Sequence, residues 1–145
     1  MTTKLDHCIG LRFFSPDVIQ SVLNFAKQLK RNKASVDLSN KIVVQLFFEP
    51  STRTRLSFEI AIQKCGATPM MIDIETSSLT KGESLLDMVK NIAAMKTDAI
   101  VVRHASGGIP YFISQHVSIP VINAGDGYHE HPSQGLLDIF TMQEN

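Results

Sequence analysis

Residues 42–55 read Ile42-Val43-Val44-Gln45-Leu46-Phe47-Phe48-Glu49-Pro50-Ser51-Thr52-Arg53-Thr54-Arg55. The first seven are a short, nearly continuous apolar run, which fits a strand buried on both faces of a parallel sheet. A helical stretch is predicted directly after it, from about Arg53 to Cys65, with Gly66 placed to end it. A strand feeding a helix in this way is the opening of a βαβ unit.

The alternation continues downstream. Pro69 to Ile74 reads as a second strand and Glu75 to Gly82 as a polar connection. Glu83 to Lys96 reads as a helix with Leu85, Leu86, Val89, Ile92 and Ala93 on one face. Its acidic residues come early and its lysines late, which suits the helix dipole. Ala99 to Val102 is a third strand, Pro110 to Val117 a short helix and Pro120 to Asn123 a fourth strand. Gly125-Asp126-Gly127 reads as a turn. Pro132 opens a last helix with Leu136, Leu137 and Phe140 facing inward. Upstream, Ser15-Pro16-Asp17 has the pattern of an N-cap, a proline at the first helical position and an acidic first turn. Val18, Val22, Phe25 and Leu29 carry that helix to about Arg31. At the other end, Glu144 sits unfavourably at a helix C-terminus with no Lys or Arg beside it in sequence. The pattern predicts an α/β fold: a doubly wound parallel sheet of about four strands flanked by helices, in three αβα layers.

Composition narrows the function. The 145 residues make one domain's worth of chain, able to bury roughly two-thirds of its extended surface. Apolar residues are 43% and charged residues 19%, which excludes a disordered or disulfide-scaffold protein. Fourteen Lys and Arg balance fourteen Asp and Glu. No basic excess points to nucleic acid or an anionic membrane, so a positive site must be built by local clustering. No signal core or membrane-length apolar run is present. Cys8 and Cys65 form no CxxC and read as packing residues of a reduced, cytoplasmic protein.

Ligands of open α/β sheets bind beyond the carboxyl ends of the strands, at a switch point in strand order. Four segments lie there: Glu49 to Arg55, Thr76 to Glu83, Arg103-His104, and Asp126 to Gln134. Three carry an arginine or lysine and the fourth two histidines. Ser51, Thr52, Arg53 and Thr54 open a helix, where free N–H groups, hydroxyls and a guanidinium fork form a phosphate cradle without a glycine-rich loop. The same residues also fit a Ser/Thr N-cap followed by surface arginines. Lys81 is either a solvated loop lysine or a mobile cation at the site. Arg103 either snorkels to the surface or lines the site. His131 and Gln134 share one face at a helix entrance, where a neutral imidazole is able to donate to a carbonyl oxygen. His129-x-His131 with Asp126 falls short of a metal site without further clustered ligands. Arg53, Arg55, Lys81 and Arg103 would together form a cationic rim.

Taken together, these segments resemble the aspartate carbamoyltransferases, the catalytic chains of the pyrimidine pathway. The matching residues run from Phe47 to Glu59, through Ser77-Ser78-Leu79-Thr80-Lys81-Gly82-Glu83-Ser84 and Val102-Arg103-His104, to Asn123-Ala124-Gly125-Asp126-Gly127 and His131-Pro132-Ser133-Gln134. Ornithine carbamoyltransferases share the STRTR and HPxQ elements, whereas Lys81 in SSLTKGES and the NAGDG run favour aspartate.

The resemblance implies that Ser51, Thr52, Arg53 and Thr54 bind the phosphate of carbamoyl phosphate, and that Arg53 stabilises the departing phosphate. Thr54, Arg103 and His131 would polarise the carbonyl oxygen, and Gln134 would hold the carbamoyl amide. Ser78 and Lys81 would reach into a neighbouring subunit's site to contact phosphate and L-aspartate, which implies a homotrimer. No metal or organic cofactor is implied. A regulatory or dihydroorotase partner is compatible with the family, and a non-catalytic assembly or regulatory module of the same fold is the alternative role. The family's second, aspartate-binding domain has no counterpart in residues 1–145, so little or no turnover is expected of this chain alone.

Overall fold

The computed structural model describes residues 7–72, 74 and 82–144. The apolar run forms β1 (Ile42–Phe47), and Ser51 leads into α2 (Thr52–Lys64), following an earlier helix α1 (Pro16–Lys30). Then come β2 (Thr68–Ile72), α3 (Leu85–Ala94), β3 (Ala99–His104), α4 (Ile109–Ser114), β4 (Val121–Asp126) and α5 (Pro132–Glu144). The four strands make one sheet in the order β2-β1-β3-β4, every pair parallel. This is the doubly wound α/β arrangement the pattern predicts.

The sheet separates two apolar layers because side chains alternate across it. Val44, Leu46, Ile100, Val102 and Val121 face α3 and α4 through Met88, Val89, Ile92 and Ile113. Val43, Val101 and Ala124 face α2 through Ile62 and Phe58. The outer edge of β4 is covered by the N-terminal segment. Cys8 donates its N–H to Val121 O (2.8 Å) and accepts from Asn123 N–H (2.8 Å), which hides an otherwise open strand edge.

Several expectations change. The fourth strand runs on through Gly125 and Asp126, so this part of the expected turn is strand, and the turn follows at Gly127. The third strand likewise continues to His104, because Phe48 N–H bonds Arg103 O (2.9 Å) and extends the ladder. Helix α3 starts at Leu85, one residue after Ser84, whose hydroxyl accepts from Asp87 N–H (3.1 Å). In α1 the buried residue is Leu23, whereas Phe25 and Leu29 are exposed. The cause is that α1 packs on α5 rather than flat on the sheet. In α5, Leu137 is 55% exposed rather than inward, since it lies on the rim of two clefts. Glu144 is not uncompensated: Lys30 Nζ pairs with its carboxylate across the α1–α5 contact, and Lys27 Nζ donates to Gln143 (3.0 Å). No helix among the described residues is long and apolar enough to cross a membrane.

Gln45 breaks the apolar run at its centre. It is fully buried, and neither atom of its amide has a hydrogen-bond partner among the described residues. Burying an unpaired amide costs about 1–3 kcal/mol. Gln45→Met keeps the volume and removes that cost, so urea denaturation should show a gain of about 1 kcal/mol in unfolding free energy. A loss of stability instead would show that the amide is bonded in solution.

Candidate functional site

The connection from β1 leaves toward β2 on one side, and the path back from β2 arrives at β3 on the other. The carboxyl ends of β1 and β3 are therefore the switch point, and an open cleft of about 980 Å³ lies there. Ser51, Thr52, Arg53, Thr54, Arg103, His131 and Gln134 all line it. Pro50, Ser57, Phe58, Ala61, Ser133 and Leu137 complete the wall. Ser78 and Lys81 lie outside the described residues. Arg55 belongs to the same helical turn but is not part of the wall, so the described cationic rim reduces to Arg53 and Arg103.

The start of α2 is built differently from two other serine-led helices. Ser15 and Ser84 each accept a backbone N–H from the helix they precede, whereas the Ser51 hydroxyl makes no such bond. The first backbone bond of α2 runs from Arg55 N–H to Ser51 O (3.0 Å), leaving the amides of Thr52, Arg53 and Thr54 ahead of it. Ser51 thus occupies the N-cap position that the alternative sequence reading allows, but its side chain does not cap the helix. Arg53 has no ion-pair or hydrogen-bond partner among the described residues. Uncommitted amides, the positive end of the helix dipole and a free guanidinium together suit a phosphate.

Arg103 enters from β3. Neighbouring residues on a strand point to opposite faces. Arg103 therefore turns to the α2 side, while His104 turns away, its ring tilted on Phe48 at 5.0 Å and its Nδ1 accepting from Ser106 N–H (2.9 Å). Arg103 Nη2 pairs with Glu49 Oε1 at 2.6 Å, and Nη1 donates to Ala124 O at 2.9 Å. Both partners of the ion pair are about a quarter exposed, so the guanidinium is held at the cleft edge, not snorkelling freely. Each terminal nitrogen keeps a second N–H for a ligand.

His131 sits at the mouth of α5. Burial, and next the positive charge of Arg103, hold its pKa below the ordinary histidine value, against an opposing pull from Asp138. Its Nδ1 lies 3.3 Å from the Ser133 hydroxyl; in the tautomer in which that hydroxyl donates, the neutral ring carries its proton on Nε2, where it is able to donate to a ligand. Gln134 is committed to its own helix, donating to Asp138 Oδ1 (2.8 Å), and must release that bond to hold a ligand. His129 does not join His131; its Nδ1 meets Asp126 Oδ2 at 2.9 Å and its Nε2 meets Arg12 at 3.2 Å. Among the described residues, no three His, Cys, Asp or Glu side chains are grouped as metal ligands. Burial, followed by the Glu130 carboxylate, pushes the Cys8 thiol up to about 11, as befits a packing residue.

Sequence reasoning gave no role to Glu49, the partner of Arg103, although it opens the segment that carries Ser51 to Thr54. It also missed Asn123 and Asp126 as a buried polar pair. Arg103 lies far from Glu49 in sequence, and Asp126 draws on Gly108 as well as on its near neighbours Asn123, His129 and Glu130, so no single local pattern announces the full set.

The family profile described as "Aspartate/ornithine carbamoyltransferase, carbamoyl-P binding domain" matches residues 6–144. The aspartate carbamoyltransferase catalytic subunit of Caldicellulosiruptor bescii is 49% identical over 97% of this chain and 48% of its own length. That of Nitratiruptor is 44% identical over 96% of this chain and 48% of its own. Among solved structures, aspartate transcarbamoylase from Trypanosoma cruzi, in complex with carbamoyl aspartate and phosphate, superposes with a TM-score of 0.88 at 30% identity. The match covers 96% of this chain and 44% of that one. The catalytic subunit from M. jannaschii gives 0.85 at 39% identity, covering 97% and 47%. The chain thus spans about half the length of the relatives it matches. With a profile match along nearly its whole length, it belongs to the aspartate/ornithine carbamoyltransferase family.

Proposed function

We propose that this chain is the carbamoyl-phosphate-binding half of an aspartate carbamoyltransferase of cytoplasmic pyrimidine biosynthesis. The observation that carries the reading is the cleft in which the start of α2, without a side-chain cap, converges with Arg53, Arg103 and His131. The relatives named above are aspartate enzymes, which favours L-aspartate over ornithine as acceptor.

In this reading the phosphate of carbamoyl phosphate rests on the amides and hydroxyls of Ser51, Thr52 and Thr54, with Arg53 across it. Thr54, Arg103 and the neutral His131 aim donors at the carbonyl oxygen, and Gln134 takes the carbamoyl amide. The α-amine of aspartate attacks the carbonyl carbon and a C–N bond forms. Negative charge gathers on the carbonyl oxygen, where donors fixed in advance stabilise it without reorganisation. The C–O bond to phosphate then breaks, its electron pair leaving with the phosphate toward Arg53. The proton lost by the amine balances the departing group as hydrogen phosphate. No covalent nucleophile is needed, and fixing both substrates in attack geometry supplies much of the rate. Ser78 and Lys81 contact aspartate and phosphate in a neighbouring copy's site, within a homotrimer. In the whole enzyme, a second domain would supply the aspartate-binding residues that complete the site.

Calorimetric titration of the chain should show carbamoyl phosphate binding, displaced by pyrophosphate. Arg53→Ala should weaken it at least about tenfold, the worth of one charge-assisted contact. Absence of heat together with absence of competition overturns the reading, and unchanged affinity in Arg53→Ala removes that residue from its role.

His131 gives a second check. Its folded pKa lies below the unfolded one, so charging it opposes folding. The corresponding stability is present above about pH 6.5 and is lost as pH falls through the lowered folded value. An NMR titration should place the His131 midpoint below about 6.5, and Arg103→Ala should raise it. A midpoint at or above the ordinary value contradicts a neutral donor.

A further inference from the structure

One buried carboxylate takes no part in the chemistry above. Asp126 ends β4 with 1% of its surface exposed. Its Oδ1 accepts from Asn123 Nδ2 (3.0 Å) and from Glu130 N–H (2.9 Å). Its Oδ2 accepts from Gly108 N–H (2.8 Å) and lies 2.9 Å from His129 Nδ1. Burial alone pushes such a carboxyl up, yet these donors outweigh it and hold the pKa below the usual carboxylate range. The carboxylate ties the connection after β3, through Gly108, to the connection that delivers His131, through His129 and Glu130.

Asn123 is fully buried as well. Its Nδ2 also donates to Ile9 O (3.1 Å), and its Oδ1 accepts from Gly125 N–H (2.8 Å). Asn123 and Asp126 therefore grip the two residues between them, Ala124 and Gly125, from both ends. Those two residues are the ones that touch the site. Ala124 O accepts from Arg103 Nη1 (2.9 Å), and a Cβ placed on Gly125 would stand 2.4 Å from Arg103 Nη1 and 3.4 Å from His131 Cδ2.

We propose that Asp126, acting with Asn123, is a positioning residue for this site: it fixes the Ala124–Gly125 backbone and thereby the Arg103 guanidinium and the His131 ring, without touching substrate. The link to carbamoyl transfer rests on the function proposed above; the link to Arg103 and His131 does not. Asp126→Asn tests the claim with little change in shape. An amide offers one acceptor oxygen and one NH2 group, so one pair of incoming donors meets a donor.

Two readouts are made on the 145-residue chain. Without ligand, the Arg103 Nε–Hε and His131 Cε1–Hε1 NMR resonances should both move in Asp126→Asn, at a temperature where circular dichroism shows the variant folded. With carbamoyl phosphate, affinity should fall about tenfold in Asp126→Asn. In an Arg103→Ala background the same substitution should cost about threefold or less, because a residue that acts through Arg103 has less left to disturb. Unmoved Arg103 and His131 resonances in a folded variant overturn the proposal. So does an equal loss in both backgrounds, which marks a general structural role. If the unmutated chain binds no carbamoyl phosphate, the functional reading falls while the ligand-free readout still decides the positioning claim. Should Asp126→Asn not fold, His129→Leu removes one of the contacts and is judged by the same two readouts.

Discussion

The pairing of β1 with β3 is the constraint on which the site depends. The register sets Phe47 opposite Arg103 and Leu46 opposite Val102. With side chains alternating across the sheet, this register sends Arg103 to the α2 face and Val102 into the core beneath α3 and α4. A slip of one residue exchanges the two sets. A guanidinium would then lie among Leu46, Met88 and Val89, and the cleft would lose its inner cation. The apolar core and the site therefore enforce each other. The same pairing places the exit of β1 beside that of β3, so the N-terminus of α2 opens directly next to Arg103.

Charge follows the same logic of placement. A chain of zero formal charge has no long-range pull on an anion, and several of its cations are matched at the surface. Lys30 pairs with Glu144, Lys41 with Asp98 and Arg12 with Glu130, all exposed contacts that contribute little. The pair between Arg103 and Glu49 is of another kind. It is short and largely withdrawn from water, and it keeps the guanidinium compensated until a ligand arrives. Arg53, by contrast, stands exposed at a helix end with no carboxylate partner among the described residues. One cation held and one free, across a cleft lined by uncommitted amides, concentrate what the net charge conceals.

Much of this architecture was legible in the amino-acid sequence, because hydrophobic periodicity directly reports burial. The continuous run at 42–48 reads as a two-sided buried strand, and the stripe at Leu85, Val89 and Ile92 as a helix face. Legibility stopped where burial depends on a partner chosen in three dimensions. Phe25 and Leu29 share a helical stripe with Val22, yet Leu23 is the residue that α1 buries, since its neighbour is a helix and not the sheet. Gly125 and Asp126 have turn composition, but Asn123 and Asp126 draw that segment into β4. At the site, Ser51 to Thr54, Arg103, His131 and Gln134 were recognisable as motifs and do gather in one cleft. Arg55 was grouped with them by adjacency alone, and a helix turns adjacent residues to different sides. Glu49 acts through a partner distant in sequence, and Asp126 joins its near neighbours to Gly108, a closure that turn composition does not reveal.

The segment from Asn123 to His131 shows how a strand end is made to serve two site side chains at once. For Arg103 and His131 to converge on one point, the backbone of β4 has to pass within van der Waals reach of both. At Gly125 a side chain would collide with Arg103 Nη1, and the residue takes φ +115°, a conformation that L side chains rarely adopt. At Gly127, with φ +63°, a Cβ would stand 2.3 Å from Ala105 O, where the chain doubles back toward His131. Glycines placed so loosen the chain, at about 0.5–1 kcal/mol each in backbone entropy. The residues that counter this loosening, Asn123 and Asp126, bracket Ala124 and Gly125 and bond to each other across them. Flexible and pinning residues are interleaved because the same few ångströms of backbone must be both thin enough to admit the Arg103 and His131 side chains and rigid enough to aim them.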